Sequence, residues 1–530
     1  MGSSKKSGSD IIRLAKPMKK GFLRLIFSRF FIILLLLLLQ VGIGLGFFWW
    51  ITEYVPYLHV FRVLFTAGMV IYLFNNSMDS TAKLTWMFLI ALVPIPGAAF
   101  LLFTQTDIGH RVLKRRVEEL IAETKSLLVP PEGVREELES DGSGTDDLGT
   151  YLKLSGSFPI YRNAEAVYFP EGEEAFAVLL EELKKAEHYI FMEFFFIEEG
   201  YMWSEVLKIL IEKAQAGVDV RVLYDGLSEF FTLPKNYYRL LEQHGIRAKV
   251  FAPIYPFVSS RYNYRDHRKI VIIDGKTAFT GGFNLADEYI NRIVRFGHWK
   301  DPSVLIRGSA AKSFTLMFLQ MWSVDEEGEK KSDFLPYLDE PDSVPENIDG
   351  YVIPYSDCPL DAEKVGETVY MDILNRATDY VHIMTPYLIL DGEMQASLEY
   401  AAKRGVDVKL ILPGIPDKKM AYALAKSHYQ ALIEAGVHIY EYSPGFVHAK
   451  VFISDDCKAV VGTINLDYRS LYHHFECAAY LYRCHCIRDI ETDFQDTLSK
   501  CREVTPETIT HEKRFYKVMG RLMKFVAPLM

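Results

Sequence analysis

Cysteine is scarce in this sequence. Six thiols are scattered through 530 residues, without the short-range pairing of a disulfide-stapled domain, so a small secreted scaffold is excluded and free thiols are expected. Cys484 and Cys486 stand close together, but no second Cys or His pair completes a zinc pattern. With Cys477 they lie in or beside apolar runs and are expected as buried packing residues. A basic excess is also lacking: 59 lysines and arginines face 69 aspartates and glutamates, a net charge of −10. No basic stripe stands out, which argues against a nucleic-acid partner.

Charge vanishes from Phe30 to Ile51, "FFIILLLLLLQVGIGLGFFWWI". Such a run is long enough to cross a bilayer core. It is too long for a signal-peptide core and has no small-residue cleavage site. Val55 to Phe74 is mostly apolar but includes His59 and Arg62, and Leu84 to Phe103 is uncharged with Pro94, Pro96 and Gly97 near its middle. Three such segments in succession predict a membrane region over residues 30–103, after a basic tail over 1–29. Lys5, Lys6, Arg13, Lys16, Lys19, Lys20, Arg24 and Arg29 precede it; Arg111, Lys114, Arg115 and Arg116 follow. The positive-inside rule places both flanks in the cytoplasm. That needs an even number of crossings, so either the second or the third segment is re-entrant or interfacial. A multi-pass protein of the cell membrane, with the remainder of the chain after residue 103 on the cytoplasmic side, is the expectation.

Residues 104–150 are expected to form a charged helix (Arg111 to Leu128) and a flexible acidic linker, "VPPEGVREELESDGSGTDD". The remainder is internally repeated. "DHRKIVIIDGKTAFTGGFN" carries His267, Lys269, Asp274, Gly281 and Asn284; "FVHAKVFISDDCKAVVGTIN" carries His448, Lys450, Asp455, Gly462 and Asn465 at identical spacings. "GVDVRVLYDG" and "GVDVKLILPG" precede the two motifs, each after an amphipathic helical stretch. Upstream lie the apolar runs "HYIFMEFFFIEEG" and "DYVHIMTPYLILDG". Each half therefore predicts α/β layers around a mostly parallel sheet. The lobes are expected over 151–345 and 346–530, joined by the acidic stretch Asp325 to Asp349. In each motif strand the His and Lys, two residues apart, share one face.

The two sets have a chemical logic. Lysine supplies fixed positive charge and asparagine an amide donor, the parts of a phosphate clamp. A neutral imidazole can attack phosphorus, and a protonated one can hand a proton to a leaving oxygen. A pseudo-twofold would set the histidines on opposite sides of one phosphate, a transfer site that needs no metal and no cofactor.

H-x-K-x4-D-x6-G-[GST]-x-N, present twice, resembles the phospholipase D superfamily; with the apolar N-terminal segments the likeness is to bacterial cardiolipin synthases. "HWKD", "TPYLI" and "NLDYRS" resemble features of that family. The resemblance implies two similar lobes with one active site between them. It implies that His267 is the nucleophile, becoming a phosphatidyl-histidine, and His448 the acid that protonates departing glycerol. The motifs are equivalent on paper, so the reverse assignment stays open. Lys269, Lys450, Asn284 and Asn465 would hold the phosphate oxygens, and Asp274 and Asp455 would support the hairpin turns. Glu476, eleven residues after Asn465, matches an acidic residue that orients a motif histidine; the same offset in the first half holds Arg295, so Asp301 of "HWKD" takes its place.

The implied reaction joins two phosphatidylglycerols into cardiolipin at a bilayer and releases glycerol. A hydrolase or transferase using another acceptor is the alternative, and a membrane-anchored nuclease or inactive scaffold a more distant one. Both intact motifs oppose a scaffold, and the acidic balance opposes a nuclease. "VFAPIYPFV" (Val250 to Val258) and the tail "RFYKVMGRLMKFVAPLM" are candidate lipid contacts, the tail as an interfacial helix. No motif speaks to oligomeric state.

Overall fold

The structure is a computed structural model. It describes Gly42, Gly46 and residues 57–530, apart from 77, 107, 163, 255–263, 325–330, 340–344, 346, 347, 349, 362 and 530. The chain divides into two compact units: one comprises Leu113–Ile254 and Asn263–Lys524, the other is described over 57–112 and 525–529.

The smaller unit is helical. Tyr57–Phe74, Ser80–Leu92 and Pro94–Thr106 are helices whose core is Leu73, Trp86, Ile90, Ala98 and Leu101. The segment expected as one span over 84–103 is broken at Val93, which caps the second helix before Pro94 opens the third. Each 13-residue piece is about 20 Å long, short of a hydrocarbon core of about 30 Å. Among the described residues no helix is long and apolar enough to cross a membrane. The first segment, Phe30 to Ile51, lies outside the described residues except for Gly42 and Gly46.

The larger unit holds two sheets. The first contains β1 (Ala164–Phe169), β2 (Tyr189–Phe194), β3 (Asp219–Asp225), β4 (Arg247–Phe251), β6 (Lys269–Ile273), β7 (Thr277–Gly281) and β9 (Ser303–Gly308), ordered β1-β9-β7-β6-β2-β3-β4. The second repeats that plan with β10 (Tyr351–Asp357), β11 (Tyr380–Met384), β12 (Asp407–Pro413), β13 (His438–Tyr442), β15 (Val451–Ser454), β16 (Lys458–Gly462), β17 (His474–Tyr482) and β18 (Cys501–Glu503), ordered β10-β17-β16-β15-β11-β12-β13-β18. Neither sheet is mostly parallel. Only β2-β3-β4 and β11-β12-β13 run parallel, through helical crossovers; the motif hairpins and the strands after them are antiparallel. Tight turns at 274–276 and 455–457 permit no other sense.

Two short strand pairs stitch the lobes together. β5 (Arg265–Asp266) of the first pairs with the start of β17 of the second, and β14 (Gly445–Val447) of the second pairs with β8 (His298–Lys300) of the first, both parallel. The helix Ala311–Ser323, buried along almost its whole length, packs on β2 and β6 and also on β10. Phe191 and Ile270 of one sheet and Val352 and Tyr480 of the other belong to one continuous core.

The acidic segment after the charged helix is not a flexible linker. Val134–Glu139 and Thr145–Gly156 are helices, with Val134, Leu138, Leu148 and Leu152 buried in that core. Apolar residues at i and i+4 within each explain it, a period masked by the surrounding charge. The acidic connector is described chiefly at the helix Lys331–Leu338, and the stretch after Ile254 lies outside the described residues.

The motif aspartates brace the hairpins. Asp274 accepts backbone N–H bonds from Glu187, His188 and Tyr189, each 2.8 Å, at the start of β2. Asp455 does the same for Thr378, Asp379 and Tyr380 at 2.9–3.0 Å before β11. These bonds hold the Asp455 carboxyl below its ordinary range against the opposing effect of burial. Its contribution is therefore present above the unfolded-state carboxylate pKa and is lost as pH falls through the lower folded value. Asp455→Ala should destabilise the protein by about 2 kcal/mol at neutral pH, with the difference from wild type shrinking in strong acid, as read by denaturant unfolding.

Candidate active site

The motif histidines do not sit inside regular strands. His267 lies in the joint between β5 and β6, and His448 in the joint between β14 and β15. Their backbone N–H groups explain the break, for each bonds across the lobe boundary: His267 to the Phe475 carbonyl at 2.9 Å, His448 to the Lys300 carbonyl at 2.8 Å. The residue after each acceptor is the carboxylate that meets the same histidine. His267 Nδ1 lies 2.9 Å from both oxygens of Glu476, and His448 Nδ1 lies 2.7 Å from Asp301 Oδ2. Each lobe thus supplies the orienting acid for the other lobe's imidazole. With Nδ1 engaged, Nε2 is the nitrogen left for chemistry.

Arg295, at the offset of Glu476, pairs instead with the half-buried Glu198 and the buried Glu288. Asp274 and Asp455, grouped with the catalytic residues by the motif, spend their carboxylates on backbone and make no bond to either histidine.

Both lysines are buried, 2% exposed. Lys269 Nζ donates to the His267 carbonyl at 2.6 Å, and Lys450 Nζ to the His448 carbonyl, with His448 Nδ1 also 2.9 Å away. Asn284 accepts from the Phe196 N–H at 3.1 Å and donates to the Tyr289 hydroxyl at 2.8 Å. Asn465 Oδ1 is buried with no partner among the described residues. Aromatic rings wall the site: Phe195 stands 4.9 Å from His267, while Tyr289, Trp299 and Phe446 stand within 5.6–5.8 Å of His448.

Burial dominates the electrostatics. It pushes His267 and His448 well below the ordinary imidazole range, and the two lysine charges push the same way, so both rings are neutral without an anion present. It lowers Lys269 to about 8 and Lys450 to about 7, and raises Asp301 to about 7. Glu476 is pushed up by burial and drawn back towards carboxylate by Lys269 and by hydroxyl bonds from Ser470 and Thr463. A desolvated pocket with two lysine ammonium groups beside two neutral imidazoles is built to receive a phosphate diester and to react with it.

His267, His474 and Glu476 bring one ligand atom each within 4.8 Å of one another, as do Glu367, Asp391 and Glu393. In the first group His267 and Glu476 already bond to each other. In the second, Lys364 Nζ lies 3.4 Å from Glu367 and 3.7 Å from Glu393, where it supplies positive charge.

Phe195, Tyr289 and His474 carry no motif signal in the sequence, whereas Ser470 closes the "NLDYRS" stretch. His474 stands two residues before Glu476 on β17, the same i, i+2 signature that links His448 to Lys450.

The lysines give the pocket a pH-dependent grip. A lysine with a lowered folded pKa carries its charge below that value and loses it as pH rises through it. Affinity for tungstate, a phosphate-shaped dianion, should fall between about pH 7 and pH 8, as measured by calorimetry at constant ionic strength. An affinity that stays flat to pH 9 would show that the lysines are not the anion clamp.

Comparison with known proteins agrees with this geometry. Residues 179–294 and 370–498 match the family model described as "Cardiolipin synthase, PLD-like domain". An uncharacterized protein of Streptococcus mutans is 55% identical over 464 residues, covering 87% of this chain and all of that one. A cardiolipin synthase of Halalkalibacterium halodurans is 32% identical over 494 residues, covering 91% of this chain and 95% of the relative. Among solved structures, the phosphatidylserine synthase of Haemophilus influenzae superposes with a TM-score of 0.53 over 70% of this chain and 95% of its own, at 15% identity, which shows a shared fold. Two α/β lobes, paired motifs and this coverage lead to one assignment: the chain belongs to the cardiolipin synthase family, phosphatidyltransferases of the phospholipase D superfamily.

Proposed function

We propose that the protein joins two phosphatidylglycerols into cardiolipin and glycerol through a covalent phosphatidyl-histidine. The observation that carries this reading is the pair of buried imidazoles, each held at Nδ1 by a carboxylate from the opposite lobe and each beside a buried lysine. Once an anionic phosphodiester lies between them, its charge favours protonation of one ring. His267 Nε2 attacks phosphorus, the bond to the headgroup oxygen breaks, and His448 delivers its Nε2 proton to the departing glycerol. His448, now neutral, takes the proton from a headgroup hydroxyl of a second phosphatidylglycerol. That oxygen attacks phosphorus, the His267–phosphorus bond breaks, and the site returns to its starting state. Lys269, Lys450, Asn284 and Asn465 hold the non-bridging oxygens, so the charge that a metal ion supplies in other phosphoryl transfers comes from the protein.

A bilayer setting is part of the proposal. The helix Arg514–Val526 packs on the second lobe through Tyr516, whose ring lies 5.6 Å from Tyr422. Phe515, Val518 and Leu522 are 54%, 59% and 60% exposed along one stripe, beside a second stripe of Arg514, Lys517 and Arg521. An apolar edge next to a basic one suits the interface of an anionic membrane. In the helical unit Phe61, Leu64, Phe74 and Leu84 are exposed, which further supports an apolar environment. The basic flanks before Phe30 and after Phe103 support a cytoplasmic side for the lobes.

The test is a double-label trap. Single-turnover reaction with phosphatidylglycerol labelled in the headgroup and in an acyl chain should leave acyl label alone on the quenched protein, at His267. Label at His448 would reverse the roles, and no enzyme-bound label would exclude the covalent route. His267→Ala and His448→Ala should each abolish cardiolipin formation, with the double variant no worse than either. Activity should survive exhaustive chelation. Phosphatidic acid as the sole product, whatever alcohol is added, would make the enzyme a hydrolase.

A further inference from the structure

The reaction as written leaves one buried titratable group of the site unused. His474 lies on β17 with its ring 5.2 Å from the ring of His267. Its Nε2 receives the Nε–H of Arg469 at 3.4 Å. A guanidinium can only donate, so Nε2 must accept, and the proton of the neutral ring is then on Nδ1. That Nδ1 lies 3.5 Å from Glu476 Oε1, near enough for its N–H dipole to face the carboxylate but without a hydrogen bond, and it is buried with no hydrogen-bond partner among the described residues. Burial, followed by the charge of Arg469, pushes His474 well below the ordinary imidazole range and keeps it neutral.

The first lobe holds a counterpart. Two residues before Asp301 stands Trp299, whose indole Nε1–H lies 3.4 Å from Asp301 Oδ2. Trp299 is in register with Phe446, two residues before His448; His474 is in register with Arg265, two residues before His267. Each orienting carboxylate therefore faces an N–H group from the residue two before it, at the equivalent point of its own cross-lobe strand pair. One of those groups is an indole that does not titrate. The other is an imidazole whose proton position is set by an arginine.

We propose that His474 is a positioning residue of the transfer reaction. Held by Arg469, it directs its Nδ1–H at Glu476, helps to keep that group a carboxylate, and so fixes the His267 proton on Nδ1 and leaves Nε2 free to attack. The inference rests on the two-histidine transfer proposed above and adds a difference between its halves: the nucleophile's carboxylate is supported by a titratable partner, the acid's by a fixed one. Glu476 is also faced by Lys269 from β6, Lys450 before β15, Asp467 and Ser470 around the helix Tyr468–Tyr472, Thr463 after β16, Tyr370 from the helix Val365–Arg376, Asp357 opposite it on β10, and Cys477 beside it. Lys269 and the two hydroxyls favour the carboxylate and Asp467 opposes it; removing His474 shifts that balance towards the protonated acid.

The test compares wild type, His474→Leu, His474→Gln, whose side-chain amide N–H can still reach Glu476, and Arg469→Leu. Wild-type turnover of phosphatidylglycerol is the prerequisite, and its absence would count against the transfer reading rather than against this inference. In His474→Leu, kcat should fall by about tenfold or more with KM within about twofold. The acid limb of kcat/KM should move to higher pH by about one unit, because Glu476 has lost an N–H dipole facing its charged form. Arg469→Leu should move the limb in the same direction, the double variant should be no worse than His474→Leu alone, and His474→Gln should restore part of both changes. The downfield proton resonance of His267 Nδ1–H, read by NMR in the unliganded protein, should broaden or vanish in His474→Leu at a pH where wild type retains it. An acid limb that stays in place, or an unchanged resonance in a folded His474→Leu protein, would overturn the inference and leave His474 a packing residue.

Discussion

The site depends on an exchange: each catalytic imidazole is oriented by a carboxylate from the opposite lobe. The side-chain bonds are short, but the backbone makes the exchange rigid. β5 against β17 and β8 against β14 carry the acid of one lobe to the histidine of the other, and the histidine N–H groups add a further bond at each crossing. Separating the lobes would break two strand pairs, two imidazole–carboxylate bonds and a shared apolar core together, so the geometry of the chemistry is coupled to the stability of the whole unit.

That rigidity matters because the site is costly to build. Two lysines, two histidines, an aspartate and a glutamate are buried together in one site. Burying ionisable groups disfavours the folded state unless their partners are fixed in place. Here the lysines lean on the carbonyls of their own motif histidines and the carboxylates on the imidazoles. An incoming phosphate can take the place of the carbonyls beside the lysines, while the carboxylates stay on the imidazole Nδ1 atoms. The stored cost becomes affinity for an anionic transition state.

Much of this was legible in the sequence because it is local. Fixed spacing of His, Lys, Asp, Gly and Asn is a statement about one hairpin and the joint before it, and repetition makes two hairpins. The parallel halves of the sheets follow from alternating apolar runs and helical stretches and the hairpins from the motifs; that β9 and β1, or β17 and β10, extend those hairpins antiparallel into the larger part of each sheet is set by pairings no local pattern shows. What lay beyond reach was long-range. His267 and Glu476 are 209 residues apart and His448 and Asp301 147, and nothing in a spacing pattern says which carboxylate crosses to which ring. Val134 and Leu138 were hidden among glutamates, and the helix they anchor shows that a charged surface can cover a packed face.

The crossing of the carboxylates also leaves each lobe incomplete by itself. A single lobe alone would carry a histidine, a lysine and an asparagine, but the acid it owns would point away from its own imidazole towards solvent. Two identical lobes facing each other about a twofold would complete one another at both rings. A lobe of this kind standing alone would therefore complete its site only by pairing with a second copy about such a twofold, and joining both lobes in one chain makes that pairing permanent. Trp299 and His474, at equivalent points of the two seams, are where the two halves differ beside the reaction centre.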